Sequence, residues 1–482
     1  MKINTMKKLL LFILFPILTY GQVQIGQDID GENLNDGIPM NISLSSNGNI
    51  VAVAAIANDG NGGDNSSSGQ VKIYENQNGN WIQIGQDING GNILENLGVG
   101  LSLSSNGTIL AIGGPGNNTN GVFSGQVKVY ENQNGNWIQI GQDITGEESE
   151  NLGSSINLSS SGTILALTRF NQVQVYENQN GSWIQIGQDI ECTGQNLSLS
   201  LSPNGNMLAI GNRSNDDNGT NAGQVRVYEN QNGDWTQIGQ NINGNSSGDL
   251  SGRSISLSAN GSILAIGALG GDGNGVNSGR VKVYENQGGN WIQVGQDING
   301  EAEQDRSGRS VSLSANGNIV VIGANQNDGN GDNSGHVRIY QNQNANWVQI
   351  GQDIDGESMG DLSGDTVSLS SNGTIVAISA EQNDGNGNNS GHVRVFDLSD
   401  LLSTEEFTTS NFSLYPNPAS TQVTIEIPQE NTLEKVTVYN SLGQVVMTSK
   451  ENNMTTSTLS KGMYIVEVLT NQGASSKKLI IE

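Results

Sequence analysis

The sequence predicts an all-β protein: a seven-bladed β-propeller of four-stranded blades, followed by a small Ig-like β-sandwich. Three observations carry this. "WIQIGQDI" or a close variant begins at Trp81, Trp137, Trp183, Trp235, Trp291 and Trp347, and a Trp-less "VQIGQDI" begins at Val23. "SLSSNG"-like turns and "VKVYEN"-like strands each occur seven times. Trp-to-Trp spacings of 56, 46, 52, 56 and 56 make each copy one supersecondary unit. Finally, 66 of 482 residues are Gly and only 14% are charged, a profile of short strands and many turns with no amphipathic helix.

The elements follow in order. "MKINTMKKLLLFILFPILTYGQ" has Lys2, Lys7 and Lys8 ahead of an apolar run, Leu9 to Leu18, that is too short for a lasting membrane anchor. Residues 1–21 therefore read as a secretory signal cleaved between Gly21 and Gln22. Residues 22–398 are the propeller. In the unit near Ser310, strand one is "SVSLS", strand two "NIVVIGA", strand three "HVRIYQN" and strand four "WVQIGQDI". The first mature segment is an orphan strand four, and the last unit stops after strand three. The two chain ends are thus expected to complete one shared blade, residues 23–29 against 392–397, which hides the sheet edges of an open array. A linear solenoid is the alternative. Residues 399–410 read as a linker, and 411–482 as the sandwich, with alternating strands split by Pro, Asn and Gly turns.

Two resemblances rest on these residues. "SGRSVSLSANGNIVVIGA" followed by "SGHVRIY" resembles the FG-GAP repeat of integrin α-type propellers, over residues 22–398. Tyr415-Pro416-Asn417-Pro418, Gly443 after "VYNSL", Gly462 and Tyr464 of "GMY", and terminal Lys477 and Lys478 resemble the type IX secretion system C-terminal sorting domain of Bacteroidetes-type bacteria. That resemblance implies a secreted or cell-surface protein that has crossed the outer membrane, with the type IX machinery as a partner. An adhesive Ig-like module is the alternative for the tail.

Charge and motifs bound the function. A net charge of −27 disfavours nucleic acid and anionic membranes. The single Cys192 excludes an internal disulfide, and His336 and His392 cannot make a zinc site with one cysteine, so all three read as structural. No G-x-S-x-G, H-E-x-x-H or P-loop pattern occurs. In the family the acidic calcium loop joins strands one and two, but here that link is a carboxylate-free "SANG" or "SSNG". "NDGNGDNSG" lies one link later. Its aspartates and those of sister loops, Asp59, Asp64, Asp272, Asp328, Asp332 and Asp384, read as turn chemistry, with weak calcium binding as the alternative. No cofactor other than that calcium is expected.

Links between strands two and three and between strands four and one share one rim. They are long, variable and acidic, so a ligand is expected there, with Asp249, Arg253, Asp305, Arg309, Asp361 and Asp365 as candidate contacts; unconstrained solvent loops are the alternative, and Arg253 and Arg309 read first as salt-bridge partners of loop carboxylates. The expected function is a non-enzymatic, adhesion-type binding protein for a protein or glycan. A carbohydrate-active enzyme using rim carboxylates, a glycoside hydrolase or lyase, is the alternative.

Overall fold

A computed structural model describes residues 21–32, 40–59, 67–192, 194, 197–402, 412–427, 431–440, 444–470 and 473–482. The signal segment before Gly21 lies outside these residues. Two compact units are present, Met1–Leu401 and Leu402–Glu482.

The first unit is a ring of seven antiparallel sheets. Blade 6 shows the common plan: Ser310–Leu313, Ile319–Ala324, His336–Gln343 and Asn346–Gln349, each hydrogen-bonded to the next. Strand two is buried along its whole length, which is why it reads as a continuous apolar run. Strand four is not one continuous strand as expected. It breaks at the glycine of "IGQDI" and resumes as a two-residue segment, Ile354–Asp355, on strand three. In blade 1 that glycine is Gly85, with φ of 79°, where a Cβ would stand 2.6 Å from the Trp137 ring of the next blade.

Ring closure is as the sequence predicts. Val23 pairs with Asp397, Gln24 with Phe396, Ile29 with Val393 and Asp30 with His392. Adjacent blades are joined by repeated side-chain bonds. At six of the seven joints the Gln of "GQ" grips the backbone of the next blade's tryptophan; Gln86 Nε2 donates to the Trp137 carbonyl at 2.7 Å, and its Oε1 accepts from the Trp137 N–H at 3.1 Å. The Trp137 indole N–H donates back to Ile84 O at 3.0 Å. These bonds explain why "W…GQ" recurs as a fixed pair.

Two further rings run round the axis. In each blade a strand-one side chain, Ser43, Ser102, Asn157, Ser200, Ser256, Ser312 or Ser368, accepts the N–H of a leucine in the following blade. At the mouth formed by the "NG" turns, backbone bonds link Ser46 to Ser105, Ser105 to Ser160, Ser160 to Pro203, Ala259 to Ala315, Ala315 to Ser371, and Ser371 to Ser46. The ring is interrupted only after Pro203, which has no N–H to give to Ala259. The near-identical turns are therefore structural parts of the closed ring.

The second unit is a sandwich. A three-stranded sheet, Ser413–Tyr415, Gln422–Glu426 and Asn453–Thr455, accompanies a four-stranded one, Leu433–Tyr439, Val445–Ser449, Gly462–Thr470 and Gly473–Ile481. Its own core includes Phe412, Val423, Ile425, Val436, Val438, Val466, Val468 and Leu479. A short helix, Ser399–Leu402, opens the segment read as a linker.

Candidate functional site

The seven first strands enclose an axial channel. Its cavity, about 450 Å³, opens on the rim carrying the two-to-three and four-to-one loops. Ile42, Leu101, Ile156, Leu199, Ile255, Val311 and Val367 form an apolar collar. Two residues earlier in each strand comes the mouth position, occupied in blades 2 to 7 by Val99, Ser154, Leu197, Arg253, Arg309 and Asp365. One half of the mouth is therefore charged and the other small or apolar.

Arg309 is satisfied: its Nε and Nη2 donate to the two oxygens of Asp365 at 2.7 and 3.2 Å, in the bidentate geometry of a strong pair. Asn325 Nδ2 adds a bond to Asp365 Oδ1 at 2.8 Å. Burial opposes the Arg309 charge, but Asp365 outweighs it and holds the guanidinium pKa above its ordinary value. Arg253 has no such partner. It is half-buried, its Nε is sealed from solvent without a hydrogen bond, and burial with Arg309 and Arg213 nearby pushes it down to about 9. It stays a cation at neutral pH; Asp365 and Glu381 act on it through space and offset part of the penalty, but neither hydrogen-bonds it. Arg213, just after strand two of blade 4, is likewise lowered by burial and by Arg309. Glu381, in the matching place of blade 7, is 8% exposed; burial first, then Asp365, push it up to about 7.

Residues 413–482 match the model of the secretion system C-terminal sorting domain. Residues 299–340, which span strands one to three of blade 6, match the FG-GAP repeat. The chain is a β-propeller that carries an FG-GAP repeat and ends in a type IX secretion sorting domain. It is secreted or displayed at the cell surface, and the type IX machinery is a partner. No curated protein matches it. Similar solved structures include the β-propeller domain of Cps50 (Swd1) from Myceliophteria thermophila, at 11% identity and TM-score 0.47, covering 78% of this chain and 98% of that one. Another is a putative 6-phosphogluconolactonase from Bacteroides uniformis, at 13% identity and TM-score 0.45, covering 65% and 84%. No described helix of the FG-GAP propeller or its tail is long and apolar enough to cross a membrane.

The rim candidates divide. Arg253, Arg309 and Asp365 come together at the mouth. Asp249, Asp305 and Asp361 do not face a ligand: they are 4%, 2% and 2% exposed. Each folds back on its own loop and accepts the N–H groups four and three residues earlier, as Asp361 Oδ2 does from Glu357 and Ser358 at 2.9 and 2.8 Å. They are turn clamps. Arg213 and Glu381 were not expected; aligning the repeats at the residue after strand two, where Ile56, Pro115 and Phe170 stand in other blades, exposes them as the charged exceptions.

The loop aspartates are also tied into turns. Asp328 Oδ1 accepts the Asn333 N–H at 2.8 Å, and Asp272 and Asp384 do the same five residues ahead at 2.9 and 2.8 Å. The accepted residue has a positive φ of 52–53° in all three. In blade 2 the uncharged Asn118 makes the same bond to Phe123 N at 2.7 Å. Asp59 accepts from Ser67 N at 3.2 Å, Asp332 Oδ1 accepts from Asn333 Nδ2 at 3.0 Å, and Asp64 lies outside the described residues. We expect Asp328→Asn to change stability by no more than about 0.5 kcal/mol, with or without millimolar calcium, because Asn118 already shows the neutral version working. A calcium-induced rise in melting temperature that this variant abolished would restore the metal reading.

In the sorting domain, Asn417 clamps the last strand, donating to Lys478 O at 2.7 Å and accepting from Ile480 N at 2.9 Å. Tyr464 donates to Ser460 O at 2.8 Å, two residues before Gly462. Lys477 sits over the Phe412 ring at 5.3 Å, Tyr415 is exposed between Leu414 and Pro416-Asn417-Pro418, and Gly443 lies outside the described residues. Cys192 is 3% exposed, and burial pushes its thiol up to about 11, so it is no nucleophile at neutral pH.

Proposed function

We propose that the propeller is a non-enzymatic binding protein that takes an anionic group of a protein or glycan ligand at the mouth of its channel. The observation that carries this is Arg253, a cation held at the cavity wall with no side-chain partner among the described residues. A guanidinium in that state forms a strong charge-assisted bond with a carboxylate or sulfate. The apolar collar beneath it offers contact to the less polar part of the same ligand. In so acidic a chain, Arg253 and Arg309 at one opening, with Asp365 offsetting one of them, give the ligand a local field opposed to the rest of the surface. On an array of acidic and neutral glycans and peptides, we expect acidic ligands to be selected and Arg253→Ala to weaken them at least about tenfold, the loss typical of one charged hydrogen bond. Selection of neutral ligands, or an unaffected variant, would refute the reading.

One observation favours a second reading, a carbohydrate-active enzyme: Asp365 and Glu381 are both buried beside the mouth, and Glu381 is raised towards neutrality as a general acid requires. Cleavage of an acidic polysaccharide by the wild type, lost in Glu381→Gln, would establish it. Glu381→Gln also tests the electrostatics. The folded carboxyl holds its proton to about pH 7 and the unfolded one to about 4.5, so the contribution of Glu381 to stability is fully present below pH 4.5 and is lost as pH rises through 7. We expect the variant to remove that loss, which is up to about 3 kcal/mol, and to be the more stable protein at pH 8. Parallel stability profiles for the two proteins would remove Glu381 from the charged cluster.

A further inference from the structure

His336 and His392 open strand three of blades 6 and 7, and both are 1% exposed. Neither ring nitrogen of either residue has a hydrogen-bond partner. Each faces two carboxylates. His336 Nδ1 is 3.6 Å from Asp353 Oδ2 and 4.0 Å from Glu301 Oε2. His392 Nδ1 is 3.7 Å from Asp28 Oδ2 and 3.9 Å from Glu357 Oε2. The same three-group arrangement, with all ligand atoms within 4.8 Å of one another, is thus built twice from different residues.

The second oxygen of every carboxylate is already held. Asp353 Oδ1 accepts from Gln349 at 2.6 Å, and Asp28 Oδ1 from Gln24 at 2.6 Å. Glu301 Oε1 faces Arg338 at 3.4 Å, and Glu357 Oε1 faces Arg394 at 3.6 Å. Outer groups of this kind fix the direction of metal ligands. The other blades supply an internal comparison. At the histidine position they carry donors that bond a nearby acid: Gln70 with Asp87 at 3.4 Å, Gln126 with Asp143 at 3.0 Å, Gln172 with Glu191 at 2.7 Å, Gln224 with Asp217 at 2.7 Å and Arg280 with Asp297 at 3.4 Å. Only the two histidines leave the acids facing an unpartnered nitrogen.

We propose that Glu301–His336–Asp353 and Asp28–Glu357–His392 are two binding sites for a divalent transition metal, zinc being the best fit. One imidazole and two carboxylates suit zinc or its neighbours better than calcium, which takes six to eight oxygens. Ligand atoms around a tetrahedral zinc lie about 3.4 Å apart, so the imidazole–carboxylate distances need to close by a few tenths of an ångström and the widest pair by up to about 1.4 Å. Burial, with Arg338 and Arg394 adding to it, pushes both histidines down to about 4 and keeps them neutral, the form that binds metal. Each site also joins the loop leaving one blade to the next. The second takes Asp28 from the break between Val23–Gln24 and Ile29–Asp30 and His392 from the last propeller strand, so its metal would clip the seam of the ring.

The test is zinc chloride added to the chelator-stripped full chain, purified without a polyhistidine tag, with bound metal counted after dialysis. We expect two zinc ions per chain, one in His336→Gln, one in His392→Gln and none in the double variant. Gln70 and Gln126 show that the fold accepts glutamine at this position, and melting curves of the metal-free variants check it. Zinc should raise the wild-type melting temperature and leave that of the double variant unchanged. A wild type that retains no zinc, or a double variant that retains as much as the wild type, would overturn the proposal.

Discussion

Deleting residues 22–30 is expected to cost the propeller about 5 kcal/mol: roughly 2 for each of Ile25 and Ile29, and more for the groups left unpaired. Ile29 is buried in a cluster with Val393, Val395 and Trp81, and Ile25 packs against it. Ile25 N donates to Val395 O at 2.7 Å, and the Trp81 indole N–H to Ile25 O at 2.8 Å. Removing the segment strands that indole in blade 1 and bares the edge of His392–Asp397 in blade 7. Because a domain's whole stability is commonly 5–15 kcal/mol, the truncated ring should be unfolded or aggregated at 37 °C. A peptide of residues 22–30 added in trans should restore part of the loss. Urea denaturation measures both effects, and an unchanged midpoint for the deletion would show that closure contributes nothing.

The second large effect is on export. Residues 411–482 build their own core and form a compact unit distinct from the propeller, so their removal takes no residue from any blade. The truncated protein should fold and be retained in the periplasm, with essentially none at the cell surface or in the medium. Cell fractionation reads this directly. Truncated protein reaching the surface would mean that the propeller carries an address of its own.

Much of the fold was legible because a repeat compares itself. Seven copies of one pattern gave the blade count, and the phase of the two ends gave the pairing of Val23–Gln24 and Ile29–Asp30 with the last strand. The break in strand four was hidden, because "WVQIGQDI" alternates well enough to be one strand until Gly351 takes its positive φ of 72°. The site was half legible. Arg253, Arg309 and Asp365 stand where the rim argument put them. Asp249, Asp305 and Asp361 look the same in sequence but bond back to their own loops, a local preference that a count of rim charges cannot see. The carboxylates facing the two histidines were hidden for a different reason. Those groups, 35 residues before and 17 or more after in blade 6, belong to two blades, and Asp28 belongs to the other end of the chain.

The channel mouth has a further consequence for how such a protein changes its ligand. Each of blades 2 to 7 places one side chain at the mouth from the same strand position, held by a backbone frame common to all. On the proposed function, ligand chemistry would therefore be written one letter per cassette. Unequal recombination between similar blades such as 5 and 6, each a 56-residue period, would duplicate or delete a letter while the blade-to-blade joints found matching partners. The seven-fold scaffold thus lets recognition drift by shuffling whole modules, with no need to invent a new surface.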